Sequence, residues 1–191
     1  MPALHYRKVN LANIKDILNF WFAEEMRTKW FASTPQLDAT IRDQYEPVWE
    51  AAMQGELEGW LDSPQGCLAL AIVLDQFPLN MFRGTPKSFA SEAKSRDVAR
   101  HAIDHGYDKQ IDAGRVAFLY MPFMHSENLA DQDLSVQLFA AAGLENNLRF
   151  AQHHREIIRR FGRFPHRNAI LGRVSTPQEL AYLNSKDAFK G

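Results

Sequence analysis

The chain has 191 residues, 22 basic against 23 acidic side chains, a net charge of −1 and one cysteine. That length suits one domain able to bury its apolar surface around a single core without staples. The charge balance argues against a protein held to nucleic acid by bulk electrostatics or one carrying an acidic tail. A lone cysteine excludes an internal disulfide, and Cys67 lies in the apolar run Cys67 to Leu74, where a small buried hydrophobe is expected rather than a reactive thiol. Met1 to Asn10 carries His5, Arg7 and Lys8 with no apolar stretch behind them, so neither a signal peptide nor a stop-transfer segment is expected there. No apolar run approaches the ~20 residues of a bilayer span. A cytoplasmic all-α domain with no membrane association is the expectation.

Apolar residues recur at three and four along the chain, with little strand-like alternation. Leu11, Ile14, Leu18, Trp21 and Phe22 form one stripe of a first helix, and Phe20-Trp21-Phe22 reads equally as core or as a homodimer surface. A second helix starts after Pro35, carries Leu37, Ile41, Tyr45, Val48, Trp49 and Ala52, and stops at Gly55. Ser63-Pro64 is a cap followed by proline, opening a helix apolar nearly all round, hence central. Pro78 is expected to end it. Helices follow from about Ser88 to His105, stopped by Gly106, and over Arg115 to Tyr120, broken by Pro122. Leu129 to Ala141 resumes helical spacing. Leu144 to Phe161 is the best-defined helix, with Phe150, Ala151, Ile157, Ile158 and Phe161 on one arc and Gly162 to end it. Thr176-Pro177-Gln178-Glu179 is a capping box opening a last helix that frays near Ser185. No linker or fixed-period repeat is visible.

Four places put polar residues in apolar company, where function or strain is expected. The first, Asp75 to Gly84, ends the buried helix and includes Gln76, Asn80 and Arg83. Asp75 shares a face with Leu68, Ala71 and Ile72, so its carboxylate needs a partner, and Arg83 is the candidate. The second is the loop after Pro122 with His125, Ser126 and Glu127. A histidine beside a carboxylate can act as general acid or base, with Glu127 orienting it, while Ser126 reads as a helix cap rather than a nucleophile. The third is His154, central in its helix's apolar arc, more simply a satisfied core residue than a ligand. His153, His154 and Glu156 contain H-x-x-E, the reverse of the di-iron order and without its second copy, so no metal is expected. The fourth, Phe161 to Asn168, interleaves Arg163, His166, Arg167 and Asn168 with aromatic residues. Guanidinium forks there suit a phosphate or carboxylate, or else a stacked structural knot.

From Thr34 to Asp62 seven acids face Arg42 alone, and from Arg149 to Arg173 seven arginines face Glu156 alone. They read as ordinary solvated helix faces paired with each other within the fold, or else the arginine segment builds an anion site; single-stranded nucleic acid along the arginine stretch is a weaker third use. The chain lacks a glycine-rich phosphate loop, a G-x-S-x-G elbow, H-E-x-x-H and paired C-x-x-C motifs, and no cofactor is implied.

L-D-Q-F-P-x-N-x-F-R-G at Leu74 to Gly84, P-F-x-H-S-E-x-L-A-D-Q at Pro122 to Gln132, and F-G-R-F-P-H-R-N at Phe161 to Asn168 resemble the bacterial family known as domain of unknown function 924. The likeness runs from about Ile14 into the last helix. It implies an all-helical fold like the tetratricopeptide-repeat superfamily and no established activity. Met124 stands where that family's pattern is commonly acidic or otherwise polar. Two functions follow. In one, the three motifs converge in a cleft that binds a small anionic or polar ligand, with His125, Glu127 or His166 as catalytic candidates and Asp75, Gln76, Asn80, Arg83, His154, Arg163, Arg167 and Asn168 as binding candidates. In the other, the chain is a helical-repeat adaptor for a peptide or protein partner and the motifs hold the helices together.

Overall fold

The computed structural model describes residues 11–190. The targeting segment sought in Met1 to Asn10 therefore lies outside the described residues. What is described is helical throughout, with no strand. The α-helices are α1 Ile14–Trp21, α2 Glu24–Arg27, α3 Pro35–Gln54, α4 Pro64–Ala71, α5 Phe77–Met81, α6 Glu92–Asp104, α7 Ala113–Met124, α8 Leu129–Ala141, α9 Glu145–Phe161 and α10 Pro177–Leu183. None is long and apolar enough to cross a membrane.

Most starts follow local chemistry. Thr34, Ser63 and Thr176 cap α3, α4 and α10 by accepting from backbone N–H groups of the first turn, each just before a proline that has no N–H to lose. Gly55 and Gly162 end α3 and α9 in the left-handed region that side chains avoid. Ser126 is not the cap of α8; Asn128 is, accepting from Ala130 N–H at 2.8 Å. Ser126 is buried and donates to Asp131 at 2.7 Å instead.

Proline overrides were the main surprise. The central helix does not end at Pro78. It widens into a π-helical turn over Ile72–Gln76, where Phe77 N–H reaches back five residues to Ile72 O, and α5 continues from there. Pro78 then falls in the first turn of α5, where the missing donor matters least. Pro122 likewise sits inside α7, which runs on to Met124 and still closes with His125 N–H on Met121 O at 3.0 Å. Burial of α7 on nearly every side holds the turn that proline weakens.

Trp21, Phe77, Phe118, Tyr120, Phe123 and Phe139 are fully buried. Trp21 meets Phe118 and Phe77 edge-on at 5.6 and 5.7 Å, and Tyr45 stacks on Phe77 at 4.7 Å, which ties α1, α3, α5 and α7 together. Trp21 and Phe22 are thus core, and Phe20 packs partly buried against them. Cys67 is buried, and burial pushes its thiol up to about 11, so it is unreactive packing. A second small cluster of Ile157, Ile158, Phe164 and Tyr182 joins α9 to α10. Phe150 departs from its expected place: it is 59% exposed, because α9 turns its inner face through Ala151, His154 and Ile158.

One close approach depends on glycine. A Cβ at Gly66 would stand 1.9 Å from the Trp60 carbonyl oxygen, since the 3-10 turn Glu58–Asp62 crosses the start of α4 there. Backbone blocks it, so no side chain can yield. Gly66→Ala is expected to cost about 3 kcal/mol of unfolding free energy, read from the urea midpoint at unchanged slope.

Candidate functional site

The π turn delivers Asp75 and Gln76 into the interior, and such turns recur at functional sites. The Asp75 side chain keeps 1% of its surface exposed. It accepts from Gln76 Nε2 at 2.6 Å and from His125 Nδ1, which lies 2.9 and 3.0 Å from its two oxygens. A carboxylate only accepts, so the proton sits on Nδ1. Arg83, the expected partner of Asp75, instead crosses to Asp38 of α3 at 2.7 Å, with more than half its side chain exposed. It lies beyond the end of α5 and its long stem runs outward, whereas His125 at the end of α7 faces the π turn directly. Asn80 bridges the two regions, donating to Gln76 O at 3.1 Å and accepting from Arg83 at 3.3 Å.

His125 retains 17% of its side-chain surface, and no hydrogen bond reaches its Nε2 from the described residues. Burial pulls its pKa down, but the charge and hydrogen bond of Asp75, helped by Glu92, outweigh this and leave it raised above 6.5. Gln132 steadies the turn that carries it, donating at 2.7 Å to both Met124 O and Ser126 O.

Arg167 completes this inner set. It is 5% exposed, donates to His125 O at 2.9 Å, pairs with Glu92 at 3.0 Å and lies between the Phe89 and Phe164 rings at 4.4 and 4.7 Å. Its Nε has no partner. Burial pushes the Glu92 carboxyl up, partly offset by Arg167 and His125. Glu92 was not a candidate from sequence. It opens an Ala-rich helix, and nothing local marks it.

Glu127 is separate from His125. Two residues further round the turn, it points the other way, accepting from Phe164 N–H at 2.7 Å and from Arg173 at 2.6 and 2.9 Å. Burial would raise its pKa, but Arg173 and that N–H outweigh it and hold the carboxyl low. Asp75, not Glu127, orients the histidine. Arg163 pairs with Glu179 at 2.6 Å, and Asn168 reaches the same carboxylate at 3.3 Å, which also caps α10 through Thr176 N–H. The hydrogen bond from Arg163 leads the causes that lower Glu179 to about 2.

The acidic and basic blocks do not pair with each other. Asp38 and Glu46 take Arg83 and Lys87, while Arg155, Arg159, Arg163, Arg167 and Arg173 go to Asp133, Glu156, Glu179, Glu92 and Glu127. Non-local carboxylates were at hand, so the arginine stretch is largely compensated.

The described residues contain no cluster of three metal-ligating groups. His154 and His166 also meet the Phe164 ring, at 5.4 and 5.5 Å. His154 Nδ1 donates to Phe150 O at 2.8 Å, while His166 Nδ1 is buried without a partner among the described residues. Burial drives them down to about 3 and about 4.

The family model for a bacterial protein of unknown function, DUF924, matches residues 17–187. The chain belongs to the DUF924 family. A solved structure, of a protein of unknown function, ATU0120, from Agrobacterium tumefaciens, is 40% identical and superposes with a TM-score of 0.85 over 90% of this chain and 96% of the other. A comparison with curated proteins finds no match. The three DUF924 motifs thus meet in space: the first supplies Asp75, the second His125 and the third Arg167.

The two neutral histidines make acid costly. From pH 6.5 downward the unfolded chain binds protons that native His154 and His166 refuse, so stability falls as pH drops towards their lowered values. His154→Leu is expected to flatten that limb by roughly 2 kcal/mol between pH 6.5 and about pH 4, measured by urea unfolding across pH. Glu179→Ala, which leaves Arg163 unpaired and α10 uncapped, is expected to cost about 3 kcal/mol in the same assay at pH 7.

Proposed function

We propose that this DUF924 chain binds a small anionic or polar ligand at the Asp75–His125 dyad, with His125 as general acid or base where chemistry follows. One observation carries the reading: a buried carboxylate fixes Nδ1 of a half-buried imidazole and leaves its Nε2 without a partner among the described residues. A ring so held presents one donor or acceptor in a set orientation, the arrangement acid–base catalysis requires. The raised pKa favours the protonated ring more than in a free imidazole, so Nε2–H suits a carboxylate or phosphate oxygen. Arg167 and Glu92 lend charge beside it. Arg163 supports the site less, because Glu179 already occupies its fork.

The adaptor reading draws on the same ion pairs. Five of the seven arginines in the basic block meet carboxylates, as they would if the motifs served only to lock helices together. Titration of the His125 ring separates the two. By NMR, His125 is expected to titrate above 6.5, and Asp75→Asn to bring it below, because burial and Arg167 are then opposed by Glu92 alone. The dyad's contribution to stability is present below pH 6.5 and fades as pH rises through the raised value. Inorganic phosphate or acetate is expected to raise the melting temperature of the wild-type protein and not that of His125→Gln, with both folded to similar stability. A shift that survives His125→Gln, or none with any anion, transfers the weight to the adaptor.

A further inference from the structure

Beyond the dyad, the C-terminal segment covers something polar. After α10 the chain turns back, and the Phe189 ring settles on His154 at 4.4 Å and on His166 at 5.0 Å. Its own N–H donates to the Tyr182 hydroxyl at 2.9 Å. Phe164 closes the opposite wall, 5.4 and 5.5 Å from the two imidazoles. An aromatic ring thus rests on two histidines, one of which, His166, has a buried ring nitrogen with no partner. A tail that served only to fill the core would be expected to meet aliphatic side chains, because an unpaired buried polar atom costs free energy that a different residue would avoid.

The cost has a use if the slot is emptied. The Phe164 ring that meets both imidazoles also lies 4.7 Å from the Arg167 guanidinium, which donates to the His125 carbonyl at 2.9 Å, so dyad and slot are neighbours. Besides short turn hydrogen bonds at Ser185 and Ala188, the segment is tied back by the Phe189 N–H on the Tyr182 hydroxyl and by the Phe189 ring, which is only partly buried, and segments so lightly anchored open at low cost.

We infer that Phe189 is a plug held by a C-terminal strap, and that the slot it fills between His154, His166 and Phe164 takes the planar aromatic or heteroaromatic ring of the ligand. The inference rests on the dyad reading for the ligand's polar end, an anionic group reaching His125. The slot is bordered by aromatic rings at tilted and edge-on angles, which suit another ring, and the free nitrogen of His166 offers it one hydrogen bond.

The test uses the full chain and its Phe189→Ala and Tyr182→Phe variants, the second keeping every ring and loosening only the strap. Acylation by diethyl pyrocarbonate, mapped by mass spectrometry with exposed His105 as reference, is expected to speed up roughly tenfold or more at His154 and His166 in both variants. In the wild type it should run faster than global unfolding permits. By NMR the titrations of His154 and His166 should rise from about 3 and about 4 towards 6.5 in Phe189→Ala. Sodium benzoate, a ring with a carboxylate, is expected to bind Phe189→Ala and move the resonances of both histidines. Unchanged protection in both variants, or no benzoate binding to Phe189→Ala, overturns the plug. If benzoate binds Phe189→Ala equally well with and without His125→Gln, the slot stands and the dyad reading fails.

Discussion

A carboxylate with 1% of its side-chain surface in contact with water has to be compensated where it stands, and everything that compensates Asp75 except Gln76 comes from far along the chain. His125 arrives from the end of α7. Arg167 arrives from the turn after α9 and grips the His125 carbonyl, bringing Glu92 of α6 with it. The buried charge therefore fixes how four parts of the fold meet. Replacing such a set by apolar residues is often neutral or stabilising, so its persistence in a well-packed core points to specificity or chemistry rather than to stability.

The π turn explains why the charge can be there at all. A regular helix through Pro78 would lose a hydrogen bond and clash with the turn before it. Widening the helix by one residue over Ile72–Gln76 absorbs both, and it re-aims Asp75 and Gln76 inward together. Proline, π turn and buried carboxylate are one device. The same logic runs through α7, where Pro122 weakens the last turn and leaves His125 at its end, held by Gln132 and Arg167 as well as by its own N–H on Met121 O.

Around this centre the arginines divide their labour. Arg167 lies inside, flanked by two phenyl rings, while Arg163 and Arg173 bind Glu179 and Glu127 and pin the Phe164 to Asn168 turn to its neighbours. The Phe164 ring of that turn is shared, meeting Arg167 beside the dyad as well as His154 and His166. Burial holds the pKa of these two histidines low, whereas Asp75, with Glu92, raises that of His125 against its burial.

By itself the sequence determined the helical class, most helix starts and the helix-ending glycines, since caps, prolines and left-handed turns act within four residues of where they are written. It also marked the three motifs, because a carboxylate or an arginine among apolar residues is visible at any distance. Partners were not legible. Arg83 for Asp75 and Glu127 for His125 were the neighbours along the chain, but the carboxylate nearest to His125 in space is 50 positions away. Glu92 carried no local signal, and the two internal prolines misled because burial, which sequence proximity does not record, supplied the support that their missing N–H groups removed. Tertiary structure decided those pairings, since a long-range ion pair depends on which helix ends the fold brings together and not on what stands beside either residue in the chain.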